Sequence, residues 1–195
     1  VWGSQTMGIQ PDILTCAKAL SASFLPISAV MITEKVYQAL MSEAEKIGTW
    51  GHGFTYSGHP VAAAVALEAQ KIYDETDLFG HAKRLSPAFR KHVQSFADHP
   101  LVGEAMSVGM MGAIEIVADK KTKAPFELGA IGAAGTKVYN HAVSRGLFIR
   151  NMGDRVAICP PLIINEAELA DLFGRLRQAF DATQAELAAE GHFKG

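Results

Sequence analysis

Cysteine is nearly absent from this 195-residue chain, with Cys16 and Cys159 far apart as its two examples. Two such thiols build no disulfide framework, so reduced thiols and a cytoplasmic setting are the expectation. Neither sign of charge dominates. Eighteen Lys and Arg against twenty Asp and Glu leave a formal net charge of −2, which gives no basic footprint for nucleic acid. No apolar run reaches membrane-spanning length. The seven histidines are scattered. His52 and His59 share a loop, but no cysteine or carboxylate stands at ligand spacing from them, and no metal site is expected. Internal repeats, a nucleophile elbow and a serine-triad signature are all missing. An initiator methionine is missing too: the chain opens "VWGSQTMGIQPDILT", which reads as a piece of a longer polypeptide.

What is present supports a folded core. Apolar residues make up 49% and charged residues 19%, ample for one large domain or two small ones. "PDILTC" and "PISAVMIT" (26–33) read as two buried strands, because apolar and β-branched residues run on without polar alternation. Helices are expected over 36–47 and over 60–75, the latter with Pro60 as its first residue. A Gly- and aromatic-rich loop, "GTWGHGFTYSGHP", lies between them. Beyond Asp77 the pattern predicts a helical stretch at 78–97, strands at 110–117, 147–150 and 155–159, and a helix near 130–145. A last helix starts at an Asn165/Glu168 capping box and carries one apolar face: Leu169, Leu172, Phe173, Leu176, Phe180 and Leu187. Residues 1–77 thus read as the end of an α/β domain and 78–195 as a compact α+β domain, with a frayed tail from Glu190.

Three segments could carry chemistry. Lys18 sits among small and apolar residues just past the first strand. It is either a surface lysine whose stem snorkels to water or a desolvated amine acting as a nucleophile. The 48–60 loop offers free backbone N–H groups and the hydroxyls of Thr55, Tyr56 and Ser57 ahead of a helix, which suits an anion such as phosphate. A flexible turn-rich loop is the alternative. Arg150, at the end of "LFIR", can clamp a carboxylate through two hydrogen bonds or can be a solvated surface charge, and Arg155 competes for either role. Gly129, Gly132 and Gly135 do not fit dinucleotide-binding spacing and predict a slim helix face.

Taken in order, "GIQPDILTCAKALSASFLPISAVMI", "GTWGHGFTYSGHPVAAAVALE" and "GLFIRNMGDRVAICPPLIINEAEL" resemble the C-terminal part of class III pyridoxal-phosphate-dependent aminotransferases. The subgroup most similar is the ω-aminotransferases that use pyruvate as acceptor. The resemblance runs from Trp2 to about Leu187. It implies fold-type I: the end of the large sheet domain, then the C-terminal small domain. It further implies that Lys18 is the Schiff-base lysine and that Thr55 reaches the cofactor phosphate of the neighbouring subunit of a homodimer, with the backbone N–H of Phe54 beside it. Arg150 is implied to bind the substrate carboxylate.

The implied reaction moves an amino group from an amine or ω-amino acid to a keto acid, with freed Lys18 acting as general base and acid. Family members are more than twice this length. The phosphate turn, the stacking aromatic and the ring-nitrogen Asp are therefore expected upstream of Val1. Two alternatives stay open: another pyridoxal-phosphate reaction (aminomutase, decarboxylase or racemase), and a non-catalytic fragment that only dimerises.

Overall fold

The computed structural model describes residues 2–193. The chain divides into two compact units, Val1–Phe79 and Gly80–Gly195. The elements follow one another as α1 (Gly3–Met7), β1 (Ile13–Ala17), a 3₁₀ turn (Lys18–Leu20), β2 (Ser28–Ile32), α2 (Glu34–Ile47), α3 (Pro60–Glu75), α4 (Leu78–Gln94), a second 3₁₀ turn (Ser95–Asp98), β3 (Val102–Val108), β4 (Met111–Ile116), α5 (Ala133–Val143), β5 (Arg150–Asn151), β6 (Arg155–Ile158) and α6 (Glu166–Ala189). Among the described residues no helix is long and apolar enough to cross a membrane.

In the first unit β1 and β2 form an antiparallel ribbon, with Ile13 opposite Ile32 and Ala17 opposite Ser28. The expectation of two buried strands fails here. Ile13 is 56% exposed and Val30 65%. A run that is apolar on both faces needs a covering layer on each, and a two-stranded ribbon does not provide one. α2 ends at Gly48 in the left-handed conformation, as its sequence position suits. α3 begins at Pro60 behind His59, whose ring accepts the Ala62 N–H.

The second unit holds a four-stranded antiparallel sheet in the order β3-β4-β6-β5. α4, α5 and α6 bury one face of it. Ile114, Ile116, Val156 and Ile158 point into a core with Phe89, Val93, Val138, Leu169, Phe173, Leu176 and Phe180. The capping box forms as the sequence predicts: Asn165 Oδ1 accepts the Glu168 N–H and Glu168 Oε2 accepts the Asn165 N–H, each at 2.9 Å. Two expectations change, and one strand is not among those expected. That strand is β3, whose alternation is broken by a register shift between Val102 and Glu104. That shift puts both Val102 and Ala105 on the core side, against strict alternation. "LFIR" contributes only Arg150 to a strand, since α5 closes through Gly146 with a Leu147 N–H bond to the Ala142 carbonyl, and the chain joins the sheet edge late. The tail is not frayed from Glu190: His192 N–H bonds the Leu187 carbonyl and Phe193 packs on the core. Lys194 and Gly195 lie outside the described residues.

Candidate active site

Lys18 follows β1 directly and opens the 3₁₀ turn. Its φ is +53°, in the left-handed region, and Ala22 (+49°) and Ser23 (+66°) repeat that conformation within the same connection. Left-handed backbone is unfavourable for residues with a Cβ, and such positions persist only where surrounding bonds hold them; they gather at functional sites. The bonds are visible. The Lys18 carbonyl accepts the N–H groups of Ser21 and Ser23, both at 3.3 Å. Ser21, buried, donates its hydroxyl to the Leu25 carbonyl at 2.6 Å. From α3, Tyr73 donates its hydroxyl to the Ala19 carbonyl at 3.0 Å, and Gln70 donates its amide to the Leu20 carbonyl at 3.1 Å. α3 thus grips the backbone right after Lys18.

The Lys18 side chain is exposed, without a hydrogen-bond or ion-pair partner among the described residues. Its apolar neighbours in sequence do not bury it. It lines an open groove of about 350 Å³ with Thr15, Cys16, Ala17, Ser28, Ala29 and Val30. An amine at the lip of a groove, on a braced turn, is placed to meet a carbonyl-bearing molecule lying over the ribbon.

The 48–60 loop is folded onto itself. Ser57 N–H bonds the Phe54 carbonyl at 2.9 Å, and the Phe54 N–H donates to Ser57 Oγ at 3.3 Å. That N–H therefore has a partner within its own turn. The Thr55 side chain is exposed, as are Phe54 at 75% and Tyr56 at 80%. Trp50, His52 and Phe54 stack edge to face in sequence, at 6.2 and 5.4 Å between ring centroids. Phe54 and Thr55 are not among the residues lining the Lys18 groove.

Arg150 belongs to the second unit. It pairs with Ala157 across β5 and β6, and Ala157 pairs with Ala113 on β4, which pairs with Met106 on β3. These residues form one row on the sheet face away from the core. Arg155 and Glu115 lie in the adjoining row, and there Arg155 is committed: its Nη2 and Nε donate to Glu115 Oε1 at 2.6 and 3.1 Å. Arg150 is exposed and has no such partner among the described residues.

Tyr73 and Gln70 are the residues that sequence reasoning passed over. The signal existed in part: they stand three apart, on one face of an Ala-rich helix.

The whole of the chain's first 180 residues matches the family model "Aminotransferase class-III". Among curated proteins, gamma-aminobutyrate transaminase 1, mitochondrial, of Oryza sativa subsp. indica is 38% identical over 96% of this chain and 36% of its own length. An uncharacterized aminotransferase of Sinorhizobium fredii is 38% identical over 98% of this chain and 41% of its own. Among solved structures, the omega transaminase from Pseudomonas jessenii in complex with PMP superposes with a TM-score of 0.90 at 44% identity, over 96% of this chain and 41% of that one. A transaminase solved with L-ala gives 0.91 at 46%, over 95% and 43%. The chain spans roughly two fifths of the length of these relatives.

Proposed function

From the premise that the chain belongs to the class-III aminotransferase family, we propose that it supplies the lysine side and the carboxylate clamp of a pyridoxal-phosphate-dependent transaminase. Residues 1–77 are then the end of the large cofactor-binding domain and 78–195 the small domain. The observation that carries the reading is the unpartnered Lys18 amine on a strained turn braced by Tyr73 and Gln70.

The residues present fit the cofactor at two of its ends. Lys18 offers an amine for its aldehyde, and the exposed Thr55 hydroxyl, with the turn around it, offers a donor for its phosphate. The group when bound supplies an electron sink that lets a proton leave the amine-bearing carbon of the donor. Lys18 Nζ takes that proton and returns it on the other side of the transfer, as general base and then acid. Arg150 holds the carboxylate of the keto acid, pyruvate in the simplest case, through paired hydrogen bonds. Its lack of an ion pair among the described residues supports it over Arg155, whose guanidinium is already engaged by Glu115. Thr55 acts on the cofactor of a second copy in a homodimer. The exposed Trp50, Phe54 and Tyr56 support that arrangement, since clustered exposed aromatics mark association surfaces. The Phe54 N–H would join Thr55 only after releasing Ser57 Oγ.

The cytoplasm is the proposed compartment, and the two free thiols suit it; the rice gamma-aminobutyrate transaminases 1, 2 and 3 carry a mitochondrial designation, so cell fractionation decides between the two. The activity itself is tested in a full-span enzyme, meaning this chain joined to the portion its relatives carry beyond it. Lys18→Ala there abolishes turnover with amine and pyruvate and removes the visible absorbance that the cofactor gains on the lysine. Near-normal transamination by that variant sinks the assignment.

A further inference from the structure

We infer that Asp154 is a positioning residue for Arg150: its carboxylate ties the hairpin that presents Arg150 to the first turn of α5, and so sets where a keto-acid carboxylate docks. The inference rests on the reading of Arg150 as the clamp.

α5 opens with a glycine, Gly132, as its N-cap, and no side chain on the helix serves its first free N–H groups. Asp154 serves one from another element: its Oδ1 accepts the Gly135 N–H at 2.8 Å. A carboxylate at a helix N-terminus also meets the positive end of the helix dipole. The backbone of the same residue is tied in a second direction, since the Asp154 carbonyl accepts the Ile116 N–H at 2.8 Å. Asp154 therefore joins the β5–β6 turn to both α5 and β4.

The turn is built for this approach. Gly153 has φ +64°, and Asp154 is not among the residues with positive φ. Glycine adopts that left-handed backbone without the strain a Cβ would bring, and the Met152 N–H donates to the Arg155 carbonyl at 2.7 Å to close the hairpin. A Cβ on Gly135 would stand 2.1 Å from the Gly153 carbonyl oxygen, and one on Gly132 would stand 2.8 Å from the Gly153 Cα. Helix and turn backbones therefore touch directly, and the short Asp154 side chain can reach only because both glycines are bare. Asn151 adds a longer bond from its Nδ2 to Thr136 Oγ1 at 3.4 Å. β5 is a two-residue edge strand paired on one side only. Without the α5 ties, the strand that carries Arg150 would pair with β6 alone, and its turn would be held only through the Asp154 carbonyl on β4. A guanidinium grips a carboxylate with two hydrogen bonds only in the right plane, so the clasp acts on the site through Arg150 and not by touching substrate.

The test uses the full-span enzyme and measures each half-reaction separately, with pyruvate and with an amine lacking a carboxylate. Asp154→Ala raises the KM for pyruvate about ten-fold, as small misplacement of a binding group does, and leaves the rate with the amine within about two-fold. Asp154→Asn, which keeps an oxygen acceptor, restores the KM to within about three-fold of the parent. Equal losses in both half-reactions, or an unchanged pyruvate KM in a folded Asp154→Ala, overturn the inference. Arg150→Ala is run beside them. If it raises the pyruvate KM selectively and Asp154→Ala does not, positioning fails alone; if Arg150→Ala itself shows no selective rise, the clamp reading fails and the inference goes with it. Should Asp154→Ala not fold, Gly153→Ala strains the left-handed turn with open space around its new Cβ and leaves Asp154 in place. It too must raise the pyruvate KM selectively, and an unchanged KM overturns the inference.

Discussion

Tyr73 spends its hydroxyl on a backbone carbonyl one residue past Lys18. Removing that hydroxyl leaves the Tyr73 ring against Phe79, 5.7 Å between centroids, where it was. Tyr73→Phe thus isolates one neutral hydrogen bond, a net contribution of about 1 kcal/mol. The Ser21 and Ser23 amides both donate to the Lys18 carbonyl, and their hydrogen exchange in Tyr73→Phe is expected to quicken roughly five-fold while amides of the second unit stay as they were. Unchanged exchange at both serines would show that the turn holds itself. At this scale the sequence reveals residue types well and partners poorly. Lys18 among alanines and Arg150 at a strand end draw attention as lone charges in apolar surroundings. Gln70, Tyr73 and Asp154 do not, because each works by reaching the backbone of another element, and no spacing rule along one element encodes that reach. Arg150 and Arg155 show the same limit: nothing in "RNMGDR" tells which arginine meets Glu115, and the register of β4 on β6 decides it.

Among elements, those with a local signal are the ones the sequence predicts closely. α3 spans Pro60–Glu75 and α6 starts behind Asn165, as proline placement and the capping box imply. Asn165→Ala removes the acceptor for the Glu168 N–H and is expected to cost about 1 kcal/mol, read as a lower urea midpoint with unchanged slope. β3 and the β1–β2 ribbon escape prediction for non-local reasons, the first through its bulge and the second because burial of a strand depends on layers that strand sequence does not specify. The end of the second 3₁₀ turn carries a titratable joint with α6. His99 is buried, its Nδ1 accepts the Leu101 N–H at 3.2 Å, and its Nε2 stands 3.4 Å from Asp181 Oδ1. That separation and alignment do not make a good hydrogen bond, and Nε2 is otherwise unpartnered. Burial pushes the imidazole below its ordinary value, and Arg177 pushes the same way, against the pull of Asp181 and Asp98. Lys120 also faces this joint, donating to the His99 carbonyl at 3.1 Å. Protonation would moreover put a proton on Nδ1 facing the Leu101 N–H. The unfolded chain thus binds this proton more readily than the folded one. The stability it contributes is complete above the unfolded value, about 6.5, and is lost as pH falls from there through the lowered folded value. Urea midpoints are expected to decline once pH falls below about 6.5, and His99→Gln flattens that decline. Loss that begins only below about pH 4.5 would assign acid sensitivity to carboxylates such as Glu186 instead, which Lys137 and His141 hold below the usual range.

For the molecule as a whole, the decisive feature is how unevenly apolar burial is shared. The continuous core of buried residues runs from Leu85 to Leu187, all in the second unit. In the first, the buried residues among those described are Ser21, Ala62 and Ala69, while Met7, Ile9, Ile13, Phe24, Val30, Phe54 and Tyr56 stand more than half exposed. Apolar burial stabilises by about 25 cal/mol per Å², so the 195-residue chain by itself is expected to melt in two steps, the first unit well before the second. The ribbon edges of β1 and β2 offer unpaired backbone groups that invite association in the same state. Limited proteolysis should therefore cut first in the 48–60 loop, where every residue is exposed, and leave a resistant core that begins near Gly80. The Lys18 turn depends on the half that melts first. The chain alone, supplied with pyridoxal phosphate, is thus expected to show no robust turnover of amine and pyruvate, whereas turnover is expected of the full-span enzyme under the function proposed above. The paired measurement is proteolysis by mass spectrometry beside an activity assay on one preparation. A single cooperative transition with uniform protease resistance, or strong transaminase activity from the 195-residue chain, would mean that the first unit is stable as it stands and that its exposed apolar residues need no cover.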